Sequence, residues 1–163
     1  MLGASSVSAL QGVSTAVHAS GETGDYSLMM TTTFTVAQAG LYSFQVGADW
    51  GRGGVAAVVD NSTSSVISEL VRTDDIWWAH NWSHPDVFDV PVNLGAGTSY
   101  TLAWIGFEGC CGGASTIRFS YEGSPYVPVS VANLAPYTVP EAGLAMLASA
   151  AAALWLERSR RRA

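Results

Sequence analysis

Apolar and polar residues alternate with a period of two along much of the chain between residues 26 and 131. In residues 41–46 (LYSFQV), for example, an extended chain would place Tyr42, Phe44 and Val46 on one side. Such alternation is typical of a half-buried β-strand. Similar β-rich runs, separated by clusters of turn residues, predict seven to nine strands. The main runs are 28–36, 41–46, 55–59, 66–71, 87–94, 100–107 and 116–121.

Strands at this spacing, with no helical period between them, predict an all-β fold. The expected architecture is an antiparallel β-sandwich with a jelly-roll-like layout. We place this domain at residues 20–132, between an N-terminal segment (1–19) and a short linker (133–138). Its predicted core consists of Phe34, Tyr42, Phe44, Val58, Leu102, Trp104, Ile117 and Phe119.

Composition narrows the function classes. Of the 163 residues, 48% are apolar and 12% are charged, and there is no Lys, which excludes a disordered chain. Residues 1–138 hold three Arg against eleven Asp and Glu, a net charge of −8. A nucleic-acid partner is therefore not expected, because binding to phosphates needs Lys and Arg. Residues 139–163 differ, with four Arg against two Glu.

The C-terminal segment has three parts in a fixed order. Val139-Pro140-Glu141 precedes fifteen residues without a charge, 142–156, and a cluster of Arg residues follows. As a helix, the uncharged run would be roughly 22 Å long, shorter than the roughly 30 Å hydrocarbon core of a bilayer. Flanking Arg side chains extend this reach, and their position predicts a cytoplasmic C-terminus. The alternative is an apolar core helix that ends in a solvated basic tail.

This order of a Pro-Glu turn, an apolar helix and a terminal Arg cluster resembles the PEP-CTERM sorting signal of Gram-negative bacteria. The chain has Ala142 where that signal usually has a second Pro. The resemblance implies export, insertion of the tail into the inner membrane, processing by an exosortase, and delivery to the cell surface or extracellular matrix. The residues that carry it are Val139, Pro140, Glu141, Arg158, Arg160, Arg161 and Arg162.

Export predicts an N-terminal signal peptide. Residues 1–19 contain no Lys or Arg, and polar residues interrupt every apolar run. Val7-Ser8-Ala9 is similar to a signal-peptide cleavage site. We therefore interpret residues 1–19 as the remnant of a signal peptide whose start lies upstream of Met1. A disordered polar N-terminus is the alternative.

Cys110 and Cys111 are the two cysteines of the chain. Adjacent Cα atoms lie about 3.8 Å apart, closer than the 4.4–6.8 Å usual for a disulfide, so a bridge between them needs a tight, strained ring. The surrounding glycines favour such a vicinal disulfide in an oxidising compartment. An intermolecular bridge and metal-binding thiolates are the alternatives. The segment 107–113 also resembles the Cys-Cys-x-Gly group of PEP-CTERM proteins, which implies a β-rich, surface-sorted body.

Residues 74–86 contain three Trp within six positions, among Asp, Asn and His. Indole faces stack on the apolar face of a pyranose, while amide and carboxylate groups bind its hydroxyls. The hairpin 41–51 is also similar to the sheet core of PA14-type, carbohydrate-associated sandwiches. Adjacent Trp side chains on a strand face opposite sides, so one should lie outside the core. The alternative is that the Trp residues only anchor the loop. The candidate glycan-binding residues are Trp77, Trp78, Trp82, Asp75 and Asp86.

Metal binding and catalysis have weaker signals. Calcium is a candidate cation because it prefers hard oxygen ligands, although no EF-hand spacing is present. His80 and His84 lack a third zinc ligand, and no nucleophile elbow, metalloprotease motif or phosphate loop occurs. We therefore expect no enzyme, but a non-catalytic glycan-binding module of the envelope or matrix. The alternative is a structural, self-associating matrix protein without a small ligand. The oxygen donors considered for calcium are Asp49, Asp60, Asp74, Asp75, Asn81, Asp86 and Glu108.

Overall fold

The structure is a computed structural model that describes residues 26–109 and 113–139, together with two short strands at 12–13 and 16–18. Within these ranges the chain is almost entirely β. The strands are β1 (Gly12–Val13), β2 (Ala16–His18), β3 (Tyr26–Thr35), β4 (Gly40–Trp50), β5 (Gly54–Asp60), β6 (Ser65–Arg72), β7 (Ile76–Trp77), β8 (Phe88–Leu94), β9 (Ser99–Glu108), β10 (Gly113–Tyr121) and β11 (Val127–Ser130). A short helix α1 (Val131–Leu134) and a 3₁₀ turn (Ala135–Tyr137) follow.

The strands form two sheets in which every pairing is antiparallel. Sheet I follows the order β1-β11-β10-β4-β7, with β2 also paired to β10 and β8 to β4. Sheet II follows the order β3-β9-β5-β6. The order β2-β10-β4-β8 in one layer and β3-β9-β5-β6 in the other is that of a jelly roll. The expected antiparallel β-sandwich is confirmed.

Each of the main runs predicted from the sequence coincides with a strand of seven or more residues. The sequence did not predict β1, β2, β7 and β11, which span two to four residues each. A period of two cannot be recognised in so few positions, and sheet partners define these strands instead. β1 and β2 lie inside the segment 1–19 that we interpreted as a signal-peptide remnant, where they pair with β11 and β10.

The core lies between the two sheets and follows the predicted alternation. All eight residues of the predicted core are at most 7% exposed. On β4, Tyr42, Phe44, Val46 and Trp50 face inward and are fully buried. Burying a large apolar side chain contributes about 1.5–3 kcal/mol, so each of these four residues stabilises the sandwich.

A polar link joins the sheets inside this core. The indole nitrogens of Trp50 and Trp104 each donate to Oγ of Ser115 over 2.8 Å. The Trp50 ring fits only beside glycines, because a Cβ on Gly106 or Gly113 would lie 2.5–2.6 Å from its atoms. Trp50 and Ser115 belong to sheet I and Trp104 to sheet II, so the link fixes how the layers face each other.

Residues 133–138, predicted as a linker, pack against the sandwich instead. Leu134 is part of the buried core, and the Tyr137 ring lies 5.7 Å from that of Phe119 at 89°. Thr138 forms a β-bridge with Val36, and the next backbone N–H, that of Val139, donates to the Thr35 carbonyl over 2.8 Å. The apolar side chains of this segment have a core to pack on, so it belongs to the domain.

Several predictions fall outside the described residues. They are the vicinal disulfide of Cys110 and Cys111, the sorting signal from Pro140 onward, and the apolar helix at 142–156. Within the described ranges, no helix has both the length and the apolar character needed to cross a membrane.

Candidate functional site

The loop between β7 and β8 consists of three successive turns, each closed by a backbone hydrogen bond. The N–H of Asn81 donates to the Trp78 carbonyl, that of His84 to the Asn81 carbonyl, and that of Val87 to the His84 carbonyl, over 2.9, 2.9 and 3.1 Å. Side chains add to this frame, since Oδ1 of Asn81 accepts from the N–H of Ser83 over 3.0 Å. The loop therefore supplies hydrogen bonds that hold its own turns.

Asp86 closes the base of this loop. Its Oδ2 accepts the backbone N–H of Trp77 over 2.9 Å and lies 3.6 Å from Nδ1 of His84. The N–H of Asp86 donates to that same nitrogen over 3.2 Å. Because its carboxylate holds the loop in this way, Asp86 serves a structural purpose in the described conformation.

The first turn of the loop has unusual backbone angles. Ala79 and His80 both have left-handed φ values, 52° and 54°. Non-glycine residues rarely adopt this conformation, which costs about 1–3 kcal/mol each and is found preferentially at functional sites. The turn folds the chain back so that Trp82 contacts Trp78.

Trp78 and Trp82 form an aromatic pair on the outer face of sheet I. Trp78 is 7% exposed and lies directly over Gly47 of β4, where a Cβ would be 2.4 Å from its Cε3 atom. The Trp82 ring packs edge-on against it, with 4.6 Å between ring centroids and 61° between planes. The His80 ring lies 5.2 Å from Trp78 on the same face. Edge-to-face contacts of this kind are favourable for aromatic rings.

Arg118 of β10 completes the site. Its guanidinium carbon lies 3.9 Å from the centroid of the Trp82 ring and 4.3 Å from that of Tyr126, so the cation contacts two aromatic rings. Its Nε and Nη2 both donate to Oε1 of Gln45, over 2.9 and 2.7 Å. Burial lowers the pKa of Arg118, while Tyr126 and Asp89 oppose that shift. An arginine remains charged at neutral pH.

These side chains surround an open cavity of about 380 Å³. Its walls are the rings of Trp78, Trp82 and Tyr126, the side chains of His80 and Arg118, residues 114–117 of β10, and Pro128. The volume is within the range of sites that take small molecules or sugar units. We call this cavity the aromatic site.

The structure brings together two of the five residues proposed for glycan binding, Trp78 and Trp82. Trp77 is 60% exposed and, like Asp75 and Asp86, does not line the aromatic site. Trp77 pairs with Asp49 at the edge of sheet I, whereas Trp78 follows the strand β7 and lies over Gly47.

Four residues at the site were not predicted from the sequence: Arg118, Tyr126, His80 and Gln45. Gln45 and Arg118 lie opposite each other on neighbouring strands, a relationship that only the β4–β10 register reveals. One signal was available, because Arg118 is one of three Arg in residues 1–138 and sits at an outward position of a predicted strand.

The acidic residues considered for calcium do not converge in the described part of the chain. Across residues 26–109 and 113–139, no three His, Cys, Asp or Glu side chains are grouped so that they could hold a metal ion. Oδ1 of Asp60 accepts from the N–H and hydroxyl of Ser62, and these bonds lower the pKa of Asp60. The carboxylate of buried Glu108 accepts the backbone N–H groups of Gly51 and Gly109.

Asp49 lies on the outer face of β4, opposite Ala114 of β10 and Trp77 of β7. Burial raises the pKa of Asp49, and the charges of Glu108 and Asp75 raise it further, whereas His80 acts in the opposite direction. The ionised carboxylate of Asp49 is therefore disfavoured by its surroundings.

No family model and no curated protein matches this chain. Several solved structures give partial matches, among them the following three. The PA14 domain of the MpAFP antifreeze protein is 14% identical with a TM-score of 0.46, over 67% of this chain and 50% of that one. A PA14 sugar-binding domain from an RTX adhesin is 15% identical with a TM-score of 0.41, over 64% and 54%. The A domain of epithelial adhesin 6 from Candida glabrata, solved in complex with Galβ1-3GlcNAc, is 14% identical with a TM-score of 0.45, over 74% and 62%. The chain thus spans about half to three fifths of the length of these structures.

Proposed function

We propose that this protein is an exported, non-catalytic glycan-binding β-sandwich of the cell envelope or extracellular matrix, sorted to the surface by its C-terminal segment. The observation that supports glycan binding is the aromatic site, where Trp78, Trp82 and Tyr126 surround a cavity that also presents Arg118. A sugar ring needs both components, an aromatic surface for its C–H face and polar groups for its hydroxyls.

The order of the loop favours binding of a flexible ligand such as a polysaccharide. Association has an entropic cost when loops and side chains must be fixed, and pre-organisation lowers that cost. Here the backbone turns fix the loop, the Gly47 surface holds Trp78, and Gln45 holds the guanidinium of Arg118. A sugar would therefore meet a site that is already formed.

The test is a polysaccharide-binding screen on the full chain, run with calcium and again with EDTA. We expect saturable binding that Trp82→Ala weakens roughly tenfold or more, because truncating an aromatic anchor removes about 1.4 kcal/mol or more. Trp78→Ala should weaken binding by a similar factor. Trp77→Ala is the matched control, since it removes an indole of the same loop that lies outside the aromatic site.

The Trp variants locate the binding site, the wild-type chain tests glycan binding itself, and the EDTA comparison tests the need for calcium. Binding that Trp77→Ala reduces as strongly as Trp82→Ala would place the ligand elsewhere on the loop. A folded chain that binds no polysaccharide would overturn the glycan-binding function. Loss of polysaccharide binding in EDTA would identify calcium as a cofactor, and unchanged binding would exclude a calcium requirement.

Surface sorting rests on the tail residues Val139, Pro140 and Glu141 and on the Arg cluster from 158 to 162. We infer that an exosortase processes this tail in the inner membrane of a Gram-negative host. An epitope-tagged chain should reach the cell surface, whereas replacing the four terminal Arg with Gln should leave it in other fractions. Surface delivery that does not depend on these residues would contradict the proposed sorting signal.

One observation favours a second function, self-association in the matrix. Strand β6 has exposed apolar side chains, with Val66 and Val71 53% and 51% exposed and Ile67 beside them. Apolar residues exposed on an edge strand promote contacts between copies of a chain. Sedimentation velocity over a range of concentrations tests this. If the chain self-associates through β6, Val66→Thr with Val71→Thr should return it to a monomer, and a wild-type monomer at every concentration would exclude this function.

A further inference from the structure

Arg118 is a cation whose hydrogen-bonding groups are only partly used. A guanidinium carries five N–H groups. Two of them, on Nε and Nη2, donate to Oε1 of Gln45, a neutral acceptor. Within the described residues, no protein atom accepts a hydrogen bond from Nη1. The side that lines the aromatic site therefore keeps donors for a ligand.

The charge of Arg118 is also not neutralised by a bound carboxylate within the described residues. Asp89 on β8 is the acidic side chain that acts on it electrostatically. In register, Asp89 lies opposite Gln45, and Gln45 lies opposite Arg118, so one complete strand separates the acid from the cation. The Trp82 and Tyr126 rings stabilise the cation, with their centroids 3.9 and 4.3 Å from its guanidinium carbon, but they do not neutralise its charge.

The other arginines of the described domain have different environments. Nη2 of Arg72 donates to the Pro85 carbonyl, and its guanidinium carbon lies 5.3 Å from the Phe88 ring centroid. Arg52 lies in the β4–β5 turn, beside Gly109. Neither lines the aromatic site, so Arg118 alone gives that cavity a full positive charge within the described domain.

A guanidinium is planar, and the bonds of Arg118 to Gln45 together with its contacts to two rings hold its remaining N–H groups in place. That geometry matches an anionic group with two oxygens, and such charge-assisted bonds are about twice as strong as neutral ones. We propose that the aromatic site selects glycans that carry an anionic group, a carboxylate or a sulfate ester, which pairs with Arg118. This inference rests on the proposed glycan-binding function and assigns its substrate class.

The experiment compares polymers that share a backbone and differ in charge. The full chain is titrated with polygalacturonate and with its methyl ester, and separately with dextran sulfate and dextran. We expect at least one anionic polymer to bind about tenfold more tightly than its neutral counterpart at low ionic strength. This preference should decrease as salt increases, because ions screen a partly exposed charge pair.

Variants assign the preference to Arg118. Arg118→Gln should remove the preference for the anionic polymer, because it should weaken binding of the anionic polymer more than binding of the neutral one. Arg118→Lys keeps the charge but not the planar donor set, so it should retain part of the preference. Arg52→Gln is the matched control, since it changes the net charge equally outside the aromatic site. Thermal unfolding of each variant shows whether the loop and the sandwich remain folded.

The possible outcomes distinguish failure of this inference from failure of the proposed glycan-binding function. A preference that Arg118→Gln removes supports the inference, and the polymer that shows it identifies carboxylate or sulfate. Equal binding of charged and neutral polymers, or a preference unchanged in Arg118→Gln and Arg118→Lys, overturns the inference and leaves glycan binding intact. Absence of binding to all four polymers and to a wider neutral panel overturns both.

Discussion

The indole of Trp78 lies so close to Gly47 that a Cβ atom on this residue would be 2.4 Å from Cε3 and 2.5 Å from Cδ2 of the ring. Gly47 sits at an outward position of β4, where any other residue would project a side chain into the space that the indole occupies. Because Gly47 has no side chain, Trp78 can pack against β4 and the aromatic site can form there.

Gly47→Ala should displace Trp78 from the sheet. We expect a loss of about 1–3 kcal/mol in the free energy of unfolding, the usual cost of overpacking a close contact, together with weaker glycan binding. Urea denaturation and the binding assay measure the two effects. Gly95→Ala is the control, because its Cβ would meet no atom closer than 3.6 Å and should leave both unchanged. Unchanged binding by a folded Gly47→Ala variant would show that the position of Trp78 does not matter.

Ser115→Ala tests the polar link in the core. The substitution leaves the Trp104 indole nitrogen without its Ser115 partner, while Trp50 keeps its 3.1 Å bond to the Ala114 carbonyl. A buried donor without an acceptor costs about 1–3 kcal/mol, so we expect the urea midpoint to fall accordingly.

Ser43→Ala removes a hydroxyl at an outward position of β4 and is the matched control. Its change should stay within about 0.5 kcal/mol, as for most surface substitutions. Equal stability of Ser115→Ala and Ser43→Ala would mean that the link between Trp50, Ser115 and Trp104 contributes nothing to the sandwich.

The sandwich was predictable from the sequence because several of its long strands alternate between buried and more exposed residues. β8, for example, runs from Phe88 to Leu94 with buried and exposed residues in alternation. The core residues could be predicted because a period-two pattern assigns each side chain to a face of the sheet without knowledge of the partner strand. What the pattern could not provide was the partner strand itself, and so β1, β2, β7 and β11 were missed.

The aromatic site was predictable only in part, from residues that lie close together in the sequence. Trp78 and Trp82 are close in sequence, and the density of Trp residues identified their loop. Arg118 and Gln45 join them through the register between distant strands, which a local pattern does not contain. Asp86 resembled a ligand-binding acid but holds the loop backbone, a distinction that depends on its partner, the N–H of Trp77.

Asp49→Asn should stabilise the protein at neutral pH. Burial and the nearby carboxylates raise the pKa of Asp49 above 3.8, so the folded state favours the protonated acid. Stability from this group is complete below pH 3.8 and decreases as pH rises through the folded-state pKa. The uncharged amide avoids that decrease, so the variant should have a higher unfolding temperature than the wild type at pH 7 and a smaller advantage at pH 3.

Asp89→Asn is the control for a general reduction in negative charge, because it removes an exposed carboxylate from β8. Thermal unfolding followed by circular dichroism at both pH values makes the comparison. If Asp49→Asn gains no more at pH 7 than Asp89→Asn does, the surroundings of Asp49 have no specific effect on stability.

Tyr42 should make the domain sensitive to alkaline pH. Burial raises the pKa of Tyr42 from 10.0 to about 12, with further contributions from Tyr121 and Tyr137, and its hydroxyl donates to the Gln38 carbonyl over 2.8 Å. The folded state thus keeps a proton that the unfolded chain loses above pH 10. The resulting stability is complete below pH 10 and is lost progressively between pH 10 and about 12.

Tyr42→Phe separates the titration from the rest of the packing. At pH 7 it should cost about 0.5–1.5 kcal/mol for the lost hydrogen bond, while its stability should decline less steeply than that of the wild type above pH 10. Tyr126→Phe, which removes a phenol outside the core, should follow the wild-type slope. Urea denaturation at pH 7, 9.5 and 11 measures all three proteins. Parallel declines for wild type and Tyr42→Phe would show that another group controls alkaline unfolding.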